Sequence, residues 1–270
     1  MRICKKCLTP ETRPRVSFID GICNSCLYAE KIRNKQISYQ DRKKEFRELL
    51  EKIRNTSKKN NNNYDCIVPW SGGKDSSAVA IKLKDDFGLK PFLVTFNPLI
   101  PTEVGEFNKR ELLKYGFDAI EIRADHKVSK NLSKRFLIER GNPKLHWDAG
   151  VNSALFKTAL NMNIKYIFFA EHGETHYGGR VLKDDSEKIR DYEEVIENNI
   201  GDNPENWVDN KEITIKEIYP YVMPLPELLI KNGIEAHYFG YYNEWNVLEN
   251  FHFIKSKIKF RTNDRGRTYG

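Results

Sequence analysis

The sequence predicts an α/β protein, a parallel sheet with helices on both faces, preceded by a small module built on four cysteines. Two observations carry this reading. From residue 64 onward, short apolar runs alternate with amphipathic stretches of helical period, the signature of strand–helix–strand units. Ahead of them, Cys4, Cys7, Cys23 and Cys26 form a C-x2-C-x15-C-x2-C array, a spacing that sets four thiolates around one tetrahedral ion. A chain of 270 residues has room for one good-sized domain and such a module. The divisions expected are a zinc-binding module over 1–38, a connecting helix and linker over 39–63, and the main domain over 64–270.

In chain order, the cysteine quartet reads as structural zinc. All four positions are filled, which leaves none open for chemistry, and an iron–sulfur cluster would use the same ligands. The start, Met1-Arg2-Ile3-Cys4, has no apolar signal-peptide core, and no run approaches the ~18 apolar residues of a spanning helix. The expected location is the cytoplasm, where structural disulfides are rare. An amphipathic helix is expected over 39–56, with Phe46, Leu49, Leu50 and Ile53 on one face. The run 57–63, without an apolar residue, reads as a linker.

Strands are expected at Asp65 to Val68, Phe92 to Phe96, Ala119 to Ile122, Tyr166 to Ala170 and His237 to Gly240. The helices between them run from Ser76 to Phe87, Glu103 to Tyr115, Lys127 to Glu139 and Asp148 to Asn161, the first two stopped by Gly88 and Gly116. Residues 184–217 carry 12 Asp/Glu against 4 Lys/Arg and interrupt the alternation. They read as an insertion over the site, although a solvated helical hairpin has the same composition.

The first strand runs into Trp70-Ser71-Gly72-Gly73-Lys74-Asp75-Ser76-Ser77 and then a helix. A glycine turn at a helix N-terminus offers backbone N–H groups to a phosphate. Gly72 and Gly73 permit close approach, Lys74 adds charge, and Ser71, Ser76 and Ser77 add hydroxyls. Ligands of open α/β sheets bind beyond the carboxyl ends of the strands. That rule also selects the Thr95-Phe96-Asn97 corner and the segment Glu171-His172-Gly173-Glu174-Thr175-His176-Tyr177-Gly178-Gly179-Arg180. In that segment Glu171 or Glu174 is a candidate for Mg²⁺ and Arg180 for an anionic substrate group. Zinc on His172 and His176, or a merely polar loop, are the alternatives. Asp75 is a candidate for Mg²⁺ or a helix-start residue favoured by the helix dipole.

The motif SGGKDS resembles the PP-loop of the ATP pyrophosphatases, enzymes of HUP-like fold that cleave ATP between its α and β phosphates and adenylate an acceptor. Together with the cysteine array, Gly141-Asn142-Pro143, the Glu171 to Arg180 segment and Tyr238-Phe239-Gly240-Tyr241-Tyr242, it is similar to the bacterial N-acetyl sugar amidotransferases of surface-polysaccharide and nonulosonate biosynthesis. His176 stands where that family has an acidic residue, and the family continues beyond Gly270, so a C-terminal helical part is expected to be absent here. The resemblance implies ATP and Mg²⁺ bound by Ser71 to Ser77, adenine against Phe96, and Lys74, Asp75, Glu171, Glu174 and Arg180 as catalytic residues. The substrate it implies is an acetamido sugar, nucleotide-linked, with possible homo-oligomers. No cysteine outside the quartet except Cys66 could serve a glutaminase, so ammonia is expected from a separate glutaminase subunit.

The competing expectation is a tRNA thiolation enzyme, which shares the PP-loop. Residues 1–60 carry 16 Lys/Arg against 7 Asp/Glu within a net charge of +7, a basic excess that suits RNA. Its charges alternate in sign from Arg42 to Arg54, as on a solvated helix face. Sulfur transfer in that group relies on further cysteines, and Cys66 alone remains.

Overall fold

A computed structural model describes residues 1–12, 16–34, 36–171, 188–190, 192–209 and 211–263. The N-terminal module holds a two-residue hairpin, β1 (Phe18–Ile19) and β2 (Ile22–Cys23), followed by helix α1 (Asn24–Arg33). Helix α2 (Tyr39–Lys59) is capped by Ser38, whose hydroxyl accepts from the Asp41 N–H at 3.3 Å. Its apolar stripe of Phe46, Leu49, Leu50 and Ile53 is buried, as its spacing requires. The helix runs three residues past its expected end. The polar stretch after it is stitched down, because the Asn62 side-chain amide donates to the carbonyls of Met162 (2.9 Å) and Asn163 (3.1 Å).

Five parallel strands follow in the spatial order β5-β4-β3-β6-β7. They are β3 (Cys66–Pro69), β4 (Pro91–Phe96), β5 (Asp118–Ile122), β6 (Tyr166–Phe169) and β7 (Glu235–Tyr238). β3 pairs with β4 from Cys66↔Pro91 to Pro69↔Val94 on one side, and with β6 at Ile67↔Ile167 on the other. Pro69 occupies the last strand position, where the missing N–H costs little. The helices are α3 (Lys74–Asp85), α4 (Glu103–Lys114), α5 (His126–Arg140) and α6 (Leu145–Asn161). Because the chain winds outward from β3 to β5 and returns to β6, right-handed crossovers place α3 and α4 on one face and α5 and α6 on the other. β3, central and buried on both faces, is an unbroken apolar run.

Thr102 and Asp125 cap α4 and α5, accepting from the N–H groups of Gly105 (3.1 Å) and Val128 (2.9 Å). β7 begins two residues earlier than expected and ends at Tyr238, because Phe239–Tyr242 turns helical. Helices α7 (Pro226–Lys231) and α8 (Val247–Lys257) complete the described chain, and α8 packs on α3.

The acidic segment is no solvated hairpin where it is described. Val195, Ile200, Trp207 and Ile213 are buried, as are Ile218 and Tyr221 just beyond the segment. Trp207 packs edge-on to Phe136 of α5 at 4.8 Å, and the Ser153 hydroxyl of α6 donates to Val222 O at 2.7 Å. Arg190 N–H donates to Ala236 O at 2.8 Å and Ile189 bridges His237, which shields the open edge of β7. Among the described residues no helix is long and apolar enough to cross a membrane.

Candidate functional site: an anion cradle at the switch point of the sheet

The winding reverses between β3 and β6, and such a reversal opens a crevice at the carboxyl edge of the sheet. The loop 70–73 leaves β3 there. Trp70 is buried, its N–H donates to Val94 O (2.9 Å), and its carbonyl accepts the Thr95 hydroxyl. Gly72 then turns left-handed, with φ +79. A Cβ at this residue would lie 2.8 Å from Gly105 O and 3.0 Å from Lys109 Cγ, so α4 closes directly over the loop.

Gly73 is the N-cap of α3 and supplies no side-chain bond. The first N–H groups of α3 therefore face the loop mouth without a capping oxygen, and they carry the positive end of the helix dipole. Ser76 Oγ donates weakly to Gly73 O at 3.4 Å, and Ser71 is exposed at the rim. Ser77 Oγ is completely buried and has no hydrogen-bond partner. A buried hydroxyl left unpaired calls for a partner that the protein itself does not supply.

Lys74 Nζ and Asp75 Oδ2 meet at 2.6 Å, both partly exposed at the mouth. Glu171 lies two residues beyond β6 and is exposed at the same edge. Glu174 and Arg180, with His172 and His176, lie outside the described residues.

Three features here had no place in the sequence expectations. On α4, buried Lys109 reaches Asn97 Oδ1 (3.0 Å), Glu121 Oε2 (3.1 Å) and Glu106 Oε1 (2.7 Å), while Asn97 Nδ2 donates to Glu121 at 2.8 Å. Glu121 is partly buried, yet the Asn97 amide and the Lys109 ammonium hold its carboxyl below the usual range. On α8, buried Asn250 reaches Asp75. On α6, buried His146 keeps Nδ1 unpaired, and burial lowers its pKa to about 4. Lys109 gave no signal, being one cation in a helix rich in charge. Asn250 gave a faint one, an amide four residues before Ile254 on the face that is buried.

Phe96 lies beside the cradle at the end of β4. Its ring packs on Gly150 of α6, where an added Cβ would fall 2.2 Å from it, and its carbonyl accepts from Trp147 Nε1 at 2.9 Å. Phe96, Asn97, Arg123, His126, His146 and Trp147 help to line a cavity of about 210 Å³.

Apart from this edge, the four cysteines come together as expected. All four Sγ atoms lie within 4.8 Å of one another, with Cys4 to Cys26 at 3.9 Å and Cys7 to Cys23 at 3.5 Å. Four thiolates at ~2.3 Å from one ion lie about 3.8 Å apart, so the donor set fits a tetrahedral metal. The N–H groups of Lys6 (3.4 Å) and Cys23 (3.3 Å) point at Cys4 Sγ and favour its thiolate. Cys66 is fully buried in β3, and burial pushes its thiol well above its ordinary value.

No protein-family profile matches the chain, and no curated protein sequence matches it. Similar solved structures include a predicted subunit of tRNA methyltransferase from Methanocaldococcus jannaschii, 18% identical over 70% of this chain and 75% of that one, with a TM-score of 0.38. Another is the U34-tRNA thiolase NcsA from Methanococcus maripaludis with its [4Fe-4S] cluster, 11% identical over 100% of this chain and 77% of that one, with a TM-score of 0.40. Likeness at this level leaves the activity to be argued from the site.

Proposed function

We propose that this chain is an ATP pyrophosphatase of the PP-loop type that adenylates the acetamido oxygen of an N-acetyl sugar and replaces it with nitrogen from ammonia. The observation that carries the ATP reading is the cradle itself: Gly72 and Gly73 at the uncapped start of α3, with a buried, partnerless Ser77 hydroxyl behind them. Polyphosphate is the ligand class that such a cradle fits. Adenine then takes the cavity beside Phe96.

The chemistry follows from the acceptor. An amide oxygen is a poor leaving group, so it attacks the α phosphorus and pyrophosphate leaves. Ammonia adds to the activated carbon, and AMP departs carrying the former amide oxygen. The product is an acetamidino sugar, with one AMP and one pyrophosphate per turnover. Lys74 and the α3 N-terminus neutralise the charge that grows on the departing pyrophosphate. Asp75, with Glu171 or Glu174, would hold Mg²⁺, which screens the same charge when bound. Arg180 is assigned to an anionic group of the substrate. The four-cysteine site would hold zinc in a structural role. Ammonia is delivered by a separate glutaminase, so ammonium salts sustain turnover and glutamine alone does not.

Modification of tRNA is the second reading, favoured in this chain by the basic excess of residues 1–60. Thiolation by the chain's own sulfur is opposed by buried Cys66 and by the commitment of the other four thiols to one cluster. One experiment separates the two: AMP and pyrophosphate release from ATP and ammonium chloride, with nucleotide-linked acetamido sugars in one series and bulk tRNA in the other. Release that needs a sugar, with mass spectrometry finding NH in place of the acetamido oxygen, is the expected result. Release that needs tRNA moves the assignment to RNA modification.

A further inference from the structure

Asp75 is held at both oxygens. Lys74 Nζ reaches Oδ2 at 2.6 Å, and Asn250 Nδ2 of α8 reaches Oδ1 at 3.4 Å. Asn250 is 2% exposed, so its amide must find partners inside the protein. Its oxygen accepts from Lys82 Nζ at 3.0 Å. Lys82 lies two turns along α3 from Asp75, on the same face of the helix. A lysine can only donate and an ionised aspartate can only accept, so the amide has one sensible orientation, with oxygen to Lys82 and nitrogen to Asp75. Phe253, one turn further along α8, places its ring 5.2 Å from Lys82 Nζ and backs the arrangement.

We infer that Asn250 is a positioning residue for the phosphate site: through its amide, α8 sets the rotamer of the Asp75 carboxylate and so its ability to take up a divalent cation with the polyphosphate. This deepens the ATP pyrophosphatase reading and rests on it. Groups that orient a ligating carboxylate without touching the metal typically contribute ten- to hundredfold to metal affinity. Asn250 stands in that relation to Asp75. Lys82 stands one bond further away and orients only Asn250.

The test uses the full chain and α,β-methylene-ATP, which cannot be cleaved between the α and β phosphates. Binding is followed by calorimetry across a Mg²⁺ titration for wild type, Asn250→Leu, Asn250→Ser and Lys82→Met. Near-ultraviolet circular dichroism establishes which variants keep the native fold. Both Asn250 variants are expected to raise the Mg²⁺ midpoint about tenfold, with affinity for the analogue recovered at saturating Mg²⁺. Lys82→Met, which leaves the Asn250 amide beside Asp75 but loosens its orientation, is expected to move the midpoint less than either Asn250 variant. If either folded Asn250 variant keeps the wild-type midpoint, or if Lys82→Met moves it equally, the contact is packing and the inference fails. Failure of the wild-type chain to bind the analogue would instead overturn the ATP reading beneath it.

Discussion

Gly72 meets two demands that no other residue meets together, a left-handed φ of +79 and the close passage of Gly105 O. Gly72→Ala is expected to cost about 1–3 kcal/mol in urea unfolding and to abolish binding of the ATP analogue. Ser77→Ala should act in opposite directions on stability and binding. It removes a buried hydroxyl without a partner, so the ligand-free protein is expected to gain about 1 kcal/mol, while affinity for the analogue falls. His146 sets a pH dependence. Burial lowers its pKa from 6.5 to about 4, so between those values the unfolded chain binds the extra proton and stability falls as pH falls. His146→Phe should flatten that limb of the stability curve by about 3 kcal/mol. Glu235 acts lower down. The bond from His237, aided by Lys52, holds it at about 2 against partial burial, and its contribution is lost as pH falls from 4.5 towards 2.

Among the elements, the four-cysteine module is expected to depend on a bound metal. Strands of two residues each and a ten-residue helix without a buried residue cannot build a core. Elemental analysis is expected to find one zinc per chain, and Cys4→Ser should release it together with the far-ultraviolet signal of α1; iron in its place would point to a cluster. The sheet and its helices were legible from sequence because β3, β4 and β6 are apolar runs of strand length. Gly88 and Gly116 also stop their helices with the positive φ that other residues resist. The layer around Val195, Ile200 and Trp207 was hidden, since its buried side chains follow a π-helical turn and 3-10 turns between many acids, with no steady period to read. Within the site, the loop 71–77 could be read because its chemistry is local in sequence. Lys109 and Asn250 could not, because Lys109 meets Asn97 and Glu121 only when α4 packs beside the ends of β4 and β5, and Asn250 meets Asp75 only when α8 packs on α3.

At the scale of the whole molecule, α2 joins the beginning of the chain to its far end. Phe46 stacks on Tyr242 at 4.9 Å and meets Phe239 at 5.8 Å, Arg42 lies 3.9 Å over the Tyr241 ring, and Lys52 pairs with Glu235 at 2.8 Å. Phe46→Ala should therefore cost about 3–5 kcal/mol in urea unfolding and loosen β7 as well as α2, seen as faster amide exchange in both. On the ribosome the same arrangement becomes a delay. The apolar face of α2 emerges nearly two hundred residues before the aromatic cluster that covers it, a gap of roughly 10–40 s at ordinary rates of translation. Through that interval the growing chain carries an unfinished greasy surface, open to proteases and to chaperones, until the helical turn Phe239–Tyr242 arrives to complete its cover.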